Sequence, residues 1–94
     1  MTRWHVPSAR PLLWREWEGE SVVFNSGSGQ THFLNAVSAE ALRAMEETSM
    51  TTAALVEHFL ELMPESEPDA LARQMDRLVR DFAELGLIDP CLDE

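Results

Sequence analysis

The chain has no lysine, a single cysteine, and only seven arginines to set against 17 Asp and Glu. Each shortage excludes something. A formal net charge of -10 repels phosphate backbones, and nucleic-acid binding draws its affinity from neutralised phosphates. No nucleic-acid partner is therefore expected, and anionic membrane surfaces are disfavoured on the same ground. Without lysine the Walker phosphate loop cannot be written. The lone Cys91 forms no intrachain disulfide and suggests a reducing compartment. Apolar runs are a few residues long, far short of the about 20 that span a bilayer. No apolar run follows the basic residues near the N-terminus, so no signal peptide is expected. A cytoplasmic location follows as the default expectation.

What is present describes an ordinary small globular chain. Its 94 residues allow one domain. With 45% apolar and 26% charged residues, disorder along the whole length is not expected. Three segments are anticipated: an irregular arm over 1–11, a folded domain over 12–89, and an acidic tail over 90–94. Trp4 in the arm is expected to dock onto the domain.

The first part of the domain reads as strands. In Leu12-Leu-Trp-Arg-Glu-Trp17, alternation places Leu13, Arg15 and Trp17 on one face and Leu12, Trp14 and Glu16 on the other, an imperfect segregation. Glu18-Gly19-Glu20 is a turn signal. Residues 21–25 (Ser-Val-Val-Phe-Asn) make a clearer strand. The run Asn25-Ser26-Gly27-Ser28-Gly29-Gln30 is a hairpin connection to a third strand, Thr31-His32-Phe33-Leu34, which ends at Asn35. Short links favour an antiparallel meander.

From about residue 36 the period becomes helical. Either Asn35 or Ser38 caps the first helix, with Ala41, Leu42 and Met45 inward and Glu40, Arg43, Glu46 and Glu47 outward. Thr51 caps the second, with Met50 and Leu55 at staple spacing. Leu55, Val56, Phe59, Leu60 and Met63 mark its apolar side, and Pro64 ends it. The third has a capping-box pattern in Ser66-Glu67-Pro68-Asp69, with Ser66 as the cap. Leu71, Met75, Leu78, Phe82 and Leu85 form its stripe, and Gly86 provides a C-terminal stop. That helix, about 28 Å long, can cross a whole sheet, and Leu87-Ile88 is expected to fold back on the core. The fold class is α+β: a three-stranded antiparallel sheet followed by three helices.

Chemical motifs are scarce. His5, His32 and His58 lie on separate elements. No His-Glu-x-x-His or Cys-x-x-Cys spacing exists, so no metal or other cofactor is expected. Gly27-Ser28-Gly29 joins two strands and opens no helix, unlike a dinucleotide fingerprint. No carboxylate pair stands out as a general acid and base, and Ser26 and Ser28 have no activating partner in view. No catalytic residue is assigned. Two features carry more. Trp4, Trp14 and Trp17 either cover a thin sheet or include a recognition anchor. Arg73, Arg77 and Arg80 cluster on one side of the third helix. Either Asp69, Asp76, Asp81 and Glu84 neutralise them, or they form an electropositive ledge for carboxylates.

The run Val23-Phe-Asn-Ser-Gly-Ser-Gly-Gln-Thr-His-Phe-Leu-Asn35 resembles the signature region of the PqqD family. Similarity continues through Ala39-Glu-Ala-Leu42, the helix start at Ser49 to Leu55, and Gly86-Leu-Ile88. The early tryptophans resemble those of the PqqD-like peptide chaperones that accompany HPr-kinase-related proteins. The resemblance implies a winged-helix-like module that captures the leader segment of a ribosomally made precursor peptide and presents it to modifying enzymes. It further implies a peptide groove along Thr31, His32, Phe33 and Leu34, faced by the third helix around Arg73, Gln74, Arg77, Leu78 and Asp81.

An extended peptide can add as a strand to an exposed sheet edge, satisfying its free N–H and C=O groups. The expected function is therefore non-catalytic leader binding. The expected partners are the leader peptide and a peptide-modifying enzyme or HPr-kinase-related protein. A structural or scaffold subunit is the alternative, and a winged-helix DNA-binding regulator a more distant one. Because an open edge can also pair with its own copy, a homodimer is compatible with this reading.

Overall fold

In the computed structural model, residues 2–91 are described; residues 92–94 of the expected acidic tail lie outside them. Two hairpins make the sheet. Strand β1 is the short Trp4–His5 segment; β2 spans Leu12–Trp17, β3 Glu20–Asn25 and β4 Gln30–Leu34. Glu18 and Gly19 both take positive φ, 50° and 82°, the conformation of a two-residue primed turn whose twist matches that of the flanking strands. The sheet order is β2-β3-β4, antiparallel throughout. Helices α1 (Ala36–Glu47), α2 (Thr52–Leu62) and α3 (Pro68–Glu84) follow, then the two-residue strand β5, Asp89–Pro90. The architecture is α+β, with three helices after a three-stranded antiparallel sheet.

Alternation sorts the sheet into two faces. Leu12, Val23 and Leu34 are buried on the inner face and join the core supplied by the helices. Leu42 and Met45 of α1, Leu55 and Phe59 of α2, and Leu71, Met75, Val79 and Phe82 of α3 meet there. Leu87 and Ile88 fold back into it. Glu16, the polar residue that spoiled the pattern of β2, ends the inner face and meets Arg43 of α1 at 3.4 Å. Trp14 lies under the same arginine, whose guanidinium sits 4.0 Å from the ring centroid, and its Nε1 donates to Glu46 at 3.0 Å.

Helix ends follow local rules with one change. Asn35 caps α1, accepting from the Ser38 N–H at 2.8 Å. Thr51 caps α2, accepting from Ala54 at 3.0 Å. The cap of α3 is Glu67, which accepts from Ala70 at 2.8 Å, and not Ser66. Pro68 occupies the first helical position, where it is favoured, and forces the residue before it out of helical geometry. That residue is Glu67, so Ser66 falls one position too early. The stripe of α3 also turns. Val79 is fully inward where Leu78 is only half-buried, and Leu85 is 41% exposed beyond the end of the helix. Both 78 and 79 lie within reach of the direction set by Leu71, Met75 and Phe82 at 100° per residue, so it is the packing of the helix and not its period that buries Val79 more deeply. Glu40, expected in water, is half-buried against His58 at 2.7 Å.

The N-terminal arm is fastened away from the main sheet. β1 pairs with β5, Trp4 and Met50 exchange two main-chain bonds of 2.7 and 3.0 Å, and Arg10 pairs with Asp89 at 2.8 Å. Trp4 packs half-buried against the core.

One buried polar residue ties the second hairpin to the end of α3. Asn25 is 1% exposed. Its Oδ1 accepts from the Gly27 N–H at 2.9 Å, and its Nδ2 donates to the Gly86 carbonyl at 3.2 Å. Gly86 itself stands at φ 77°. Replacing Asn25 by Ala is expected to cost about 2 kcal/mol, because it strands both main-chain partners as well as removing the bonds. In a domain of this size that lowers the melting temperature by roughly 8–16 °C, which thermal unfolding followed by circular dichroism measures.

Candidate functional site

The register determines which main-chain groups at the sheet border are available. A two-residue hairpin closes on a hydrogen-bonded pair, here Trp17 and Glu20. Bonding direction alternates along a strand, so Glu20, Val22 and Phe24 bond toward β2, and Ser21, Val23 and Asn25 toward β4. Their partners Leu34, His32 and Gln30 are therefore satisfied within the sheet. Thr31 and Phe33 aim their N–H and C=O groups outward. β4 is an edge strand, with no strand beyond it among the described residues, and the bonds that hold the arm do not reach it.

α3 has its two ends near the two ends of β4, in reverse order. Its C-terminal end is fixed by the bond from Asn25 to Gly86, at the end of the sheet where β4 begins. Its first turns share a shallow hollow with Val37, just past the end of β4: Val37, Met63, Ala70 and Gln74 all line it. A second hollow, lined by Ala70, Arg73, Gln74 and Arg77, continues it along the helix. Those four residues have the spacing of one helical face.

The side chains expected at the site divide into groups. Thr31 and Phe33 are exposed, and Leu34 is buried in the core. His32 is half-buried on the inner face of β4, and its Nε2 is buried with no hydrogen-bond partner among the described residues. Arg73, Gln74 and Arg77 line the trough, Leu78 is half-buried against the core, and Asp81 is exposed on the following turn. The two readings of the arginines both hold in part. Arg80 is paired with Asp76. Arg73 and Arg77 have no carboxylate partner among the described residues and leave a two-residue positive ledge in an acidic protein. Val37, Met63 and Ala70 were not anticipated as lining residues. Ala70 was findable, since it precedes Arg73, Gln74 and Arg77 on their own face, whereas Val37 and Met63 come from other elements.

The tryptophans divide as well. Trp4 and Trp14 are half-buried structural residues, and Trp17 is largely exposed on the outer face. No helix is long and apolar enough to cross a membrane, and no group of three or more metal-ligating side chains occurs, both among the described residues.

Sheet, helix order and open border define a small α+β module with an uncovered sheet edge among the described residues. The family described as "Coenzyme PQQ synthesis protein D (PqqD)" matches residues 20–88, and the chain belongs to that family. The fold is also that of a solved structure described as "TbiB1 in Complex with the TbiA(beta) Leader Peptide". The two share a TM-score of 0.74 and 17% identity, over 95% of this chain and 99% of the other. None of the curated proteins matches the chain.

Proposed function

We propose that this protein binds the leader segment of a ribosomally made precursor peptide as an added strand on β4, with α3 as the facing wall, and presents it to a modifying enzyme or HPr-kinase-related protein. It makes and breaks no covalent bonds itself. The single observation that carries the reading is the outward-facing main chain of Thr31 and Phe33 on a sheet edge that no further strand covers among the described residues. Membership of the PqqD family supports it, as does a fold shared with a protein solved in complex with a leader peptide.

The division of labour is physical. Main-chain groups at Thr31 and Phe33 hold any extended chain of the right length, each bond contributing a net of about 0.5–1.5 kcal/mol. Side chains of the guest alternate, so every second one turns toward the helix side. There Val37, Met63 and Ala70 offer an apolar seat, and Arg73 and Arg77 offer planar donor forks suited to carboxylates. An acidic leader with an apolar anchor is the matching guest.

Titrating isotope-labelled protein with candidate leader peptides tests this. Amide shifts are expected in residues 31–35 and on the Ala70–Arg77 face of α3. Shifts confined to α2, or none with any leader, would reject the groove.

A further inference from the structure

We infer that the outer face of the sheet is a second docking surface, and that its partner is a folded protein presenting an apolar patch bordered by lysine and arginine. All three helices lie on the other side of the sheet, so the outward residues have no cover from this chain. Leu13, Trp17 and Phe33 are 57%, 65% and 68% exposed. Val22 and Phe24 lie half-buried between them. Register makes the patch continuous across three strands: Leu13 stands opposite Phe24, and Val22 stands between Arg15 and Phe33. A shallow hollow bounded by Leu13, Arg15, Val22, Phe24 and Thr31 indents it. Contiguous exposed apolar surface rimmed by polar residues marks interaction sites in proteins of this size, and Trp is the residue type most enriched among binding anchors.

Charge selects the occupant. Glu18 and Glu20 border the patch at the hairpin end, and the chain carries a net charge of -10. Two copies set face to face would bring those charges within about one screening length, near 8–10 Å, so a second copy is disfavoured. A partner with a basic rim gains from the same field in steering and specificity. Arg15, central on the patch, forms no side-chain hydrogen bond or ion pair among the described residues and adds a demand for one carboxylate opposite it. A single extended peptide does not fit, because the patch is broad and spans all three strands. The inference does not rest on strand addition at β4: the surface is on the opposite side of the sheet from the helix wall.

A pair of amphipathic helical peptides tests it, one built of Leu and Lys and its counterpart of Leu and Glu, with the double variant Leu13→Ser, Trp17→Ser. Both replaced side chains are largely exposed, so the fold is expected to persist, and identical circular dichroism verifies this. The Leu–Lys peptide is expected to shift amides at 13, 15, 17, 22, 24 and 33. The double variant is expected to weaken it about tenfold or more, as loss of an aromatic anchor does, while leader binding stays unchanged. Equal binding of both peptides, shifts elsewhere on the protein, or no loss in the variant would overturn the inference. So would a concentration-dependent dimer in sedimentation that the variant abolishes, since the occupant would then be a second copy. If no leader binds at β4 and the Leu–Lys peptide still maps to these residues, the groove reading fails and this one stands.

Discussion

Reversing the charge of Arg73 and Arg77 together (R73E/R77E) is expected to weaken an acidic leader by about 2 kcal/mol, roughly thirtyfold in Kd. The two guanidinium groups are exposed, so each attraction is modest, about 1 kcal/mol or less. Reversal doubles the effect by adding repulsion where attraction stood. A neutral leader of the same length should lose much less, and raising the salt concentration should shrink the difference, since exposed charges are screened. Isothermal titration of both leaders against both proteins measures this directly. Equal losses for acidic and neutral leaders would show that the substitutions damaged packing and that the ledge does not select. Arg80→Glu is the internal control. Its guanidinium is already paired with Asp76, so its reversal is expected to change leader affinity little.

The second large effect concerns the backbone. Thr31→Pro removes one outward N–H from β4 and places a ring at the edge. Proline is tolerated on an edge strand when its N–H side faces solvent, so the protein is expected to fold with a melting temperature close to the parent's. Leader binding should nevertheless fall tenfold or more, the equivalent of about 1.4 kcal/mol, from one lost ladder bond and the ring's obstruction. Thr31→Val keeps the main chain and should bind normally. His32→Pro acts differently. By the register His32 bonds inward to Val23, and its loss should destabilise the sheet itself. Normal leader binding by a folded Thr31→Pro protein would remove the strand-addition reading, whatever the arginine variants showed. Peptide titration and thermal unfolding of the three variants separate these outcomes.

Much of the fold was legible because its signals are local. Asn35 and Thr51 cap helices by accepting from the backbone N–H three residues on, and Gly19 and Gly86 stand where a left-handed conformation is needed. Alternation in β2 correctly separated Leu12 and Trp14 from Leu13, Arg15 and Trp17. Of the errors, one was local and one was not. Proline at position 68 outranked the capping-box pattern of Ser66, and tertiary packing buried Val79 more deeply than Leu78 although both lie near the apolar stripe.

The candidate site was legible only in part. That Thr31 to Leu34 form a strand could be read from residue types. That Thr31 and Phe33 aim their main chain outward while Leu34 enters the core depends on the register of two hairpins. The arginine side of α3 was visible in the helical spacing, yet spacing could not say which arginine Asp76 would occupy. Val37 and Met63 reach the trough from α1 and the end of α2, at distances along the chain that no pattern connects. The outer apolar face was hidden for the same reason. Valine, phenylalanine and tryptophan in a strand look alike whether a helix covers them or not.

The amino-acid sequence by itself determined the elements, their order, most of their caps and the acidic character of the surface, since each depends on neighbours within a turn or two. Tertiary structure alone decided which sheet edge and which sheet face stay open, and which arginines stay unpaired. Those outcomes depend on where distant elements come to rest: an open edge exists only because the arm pairs with Met50 and Asp89–Pro90 and not with β4.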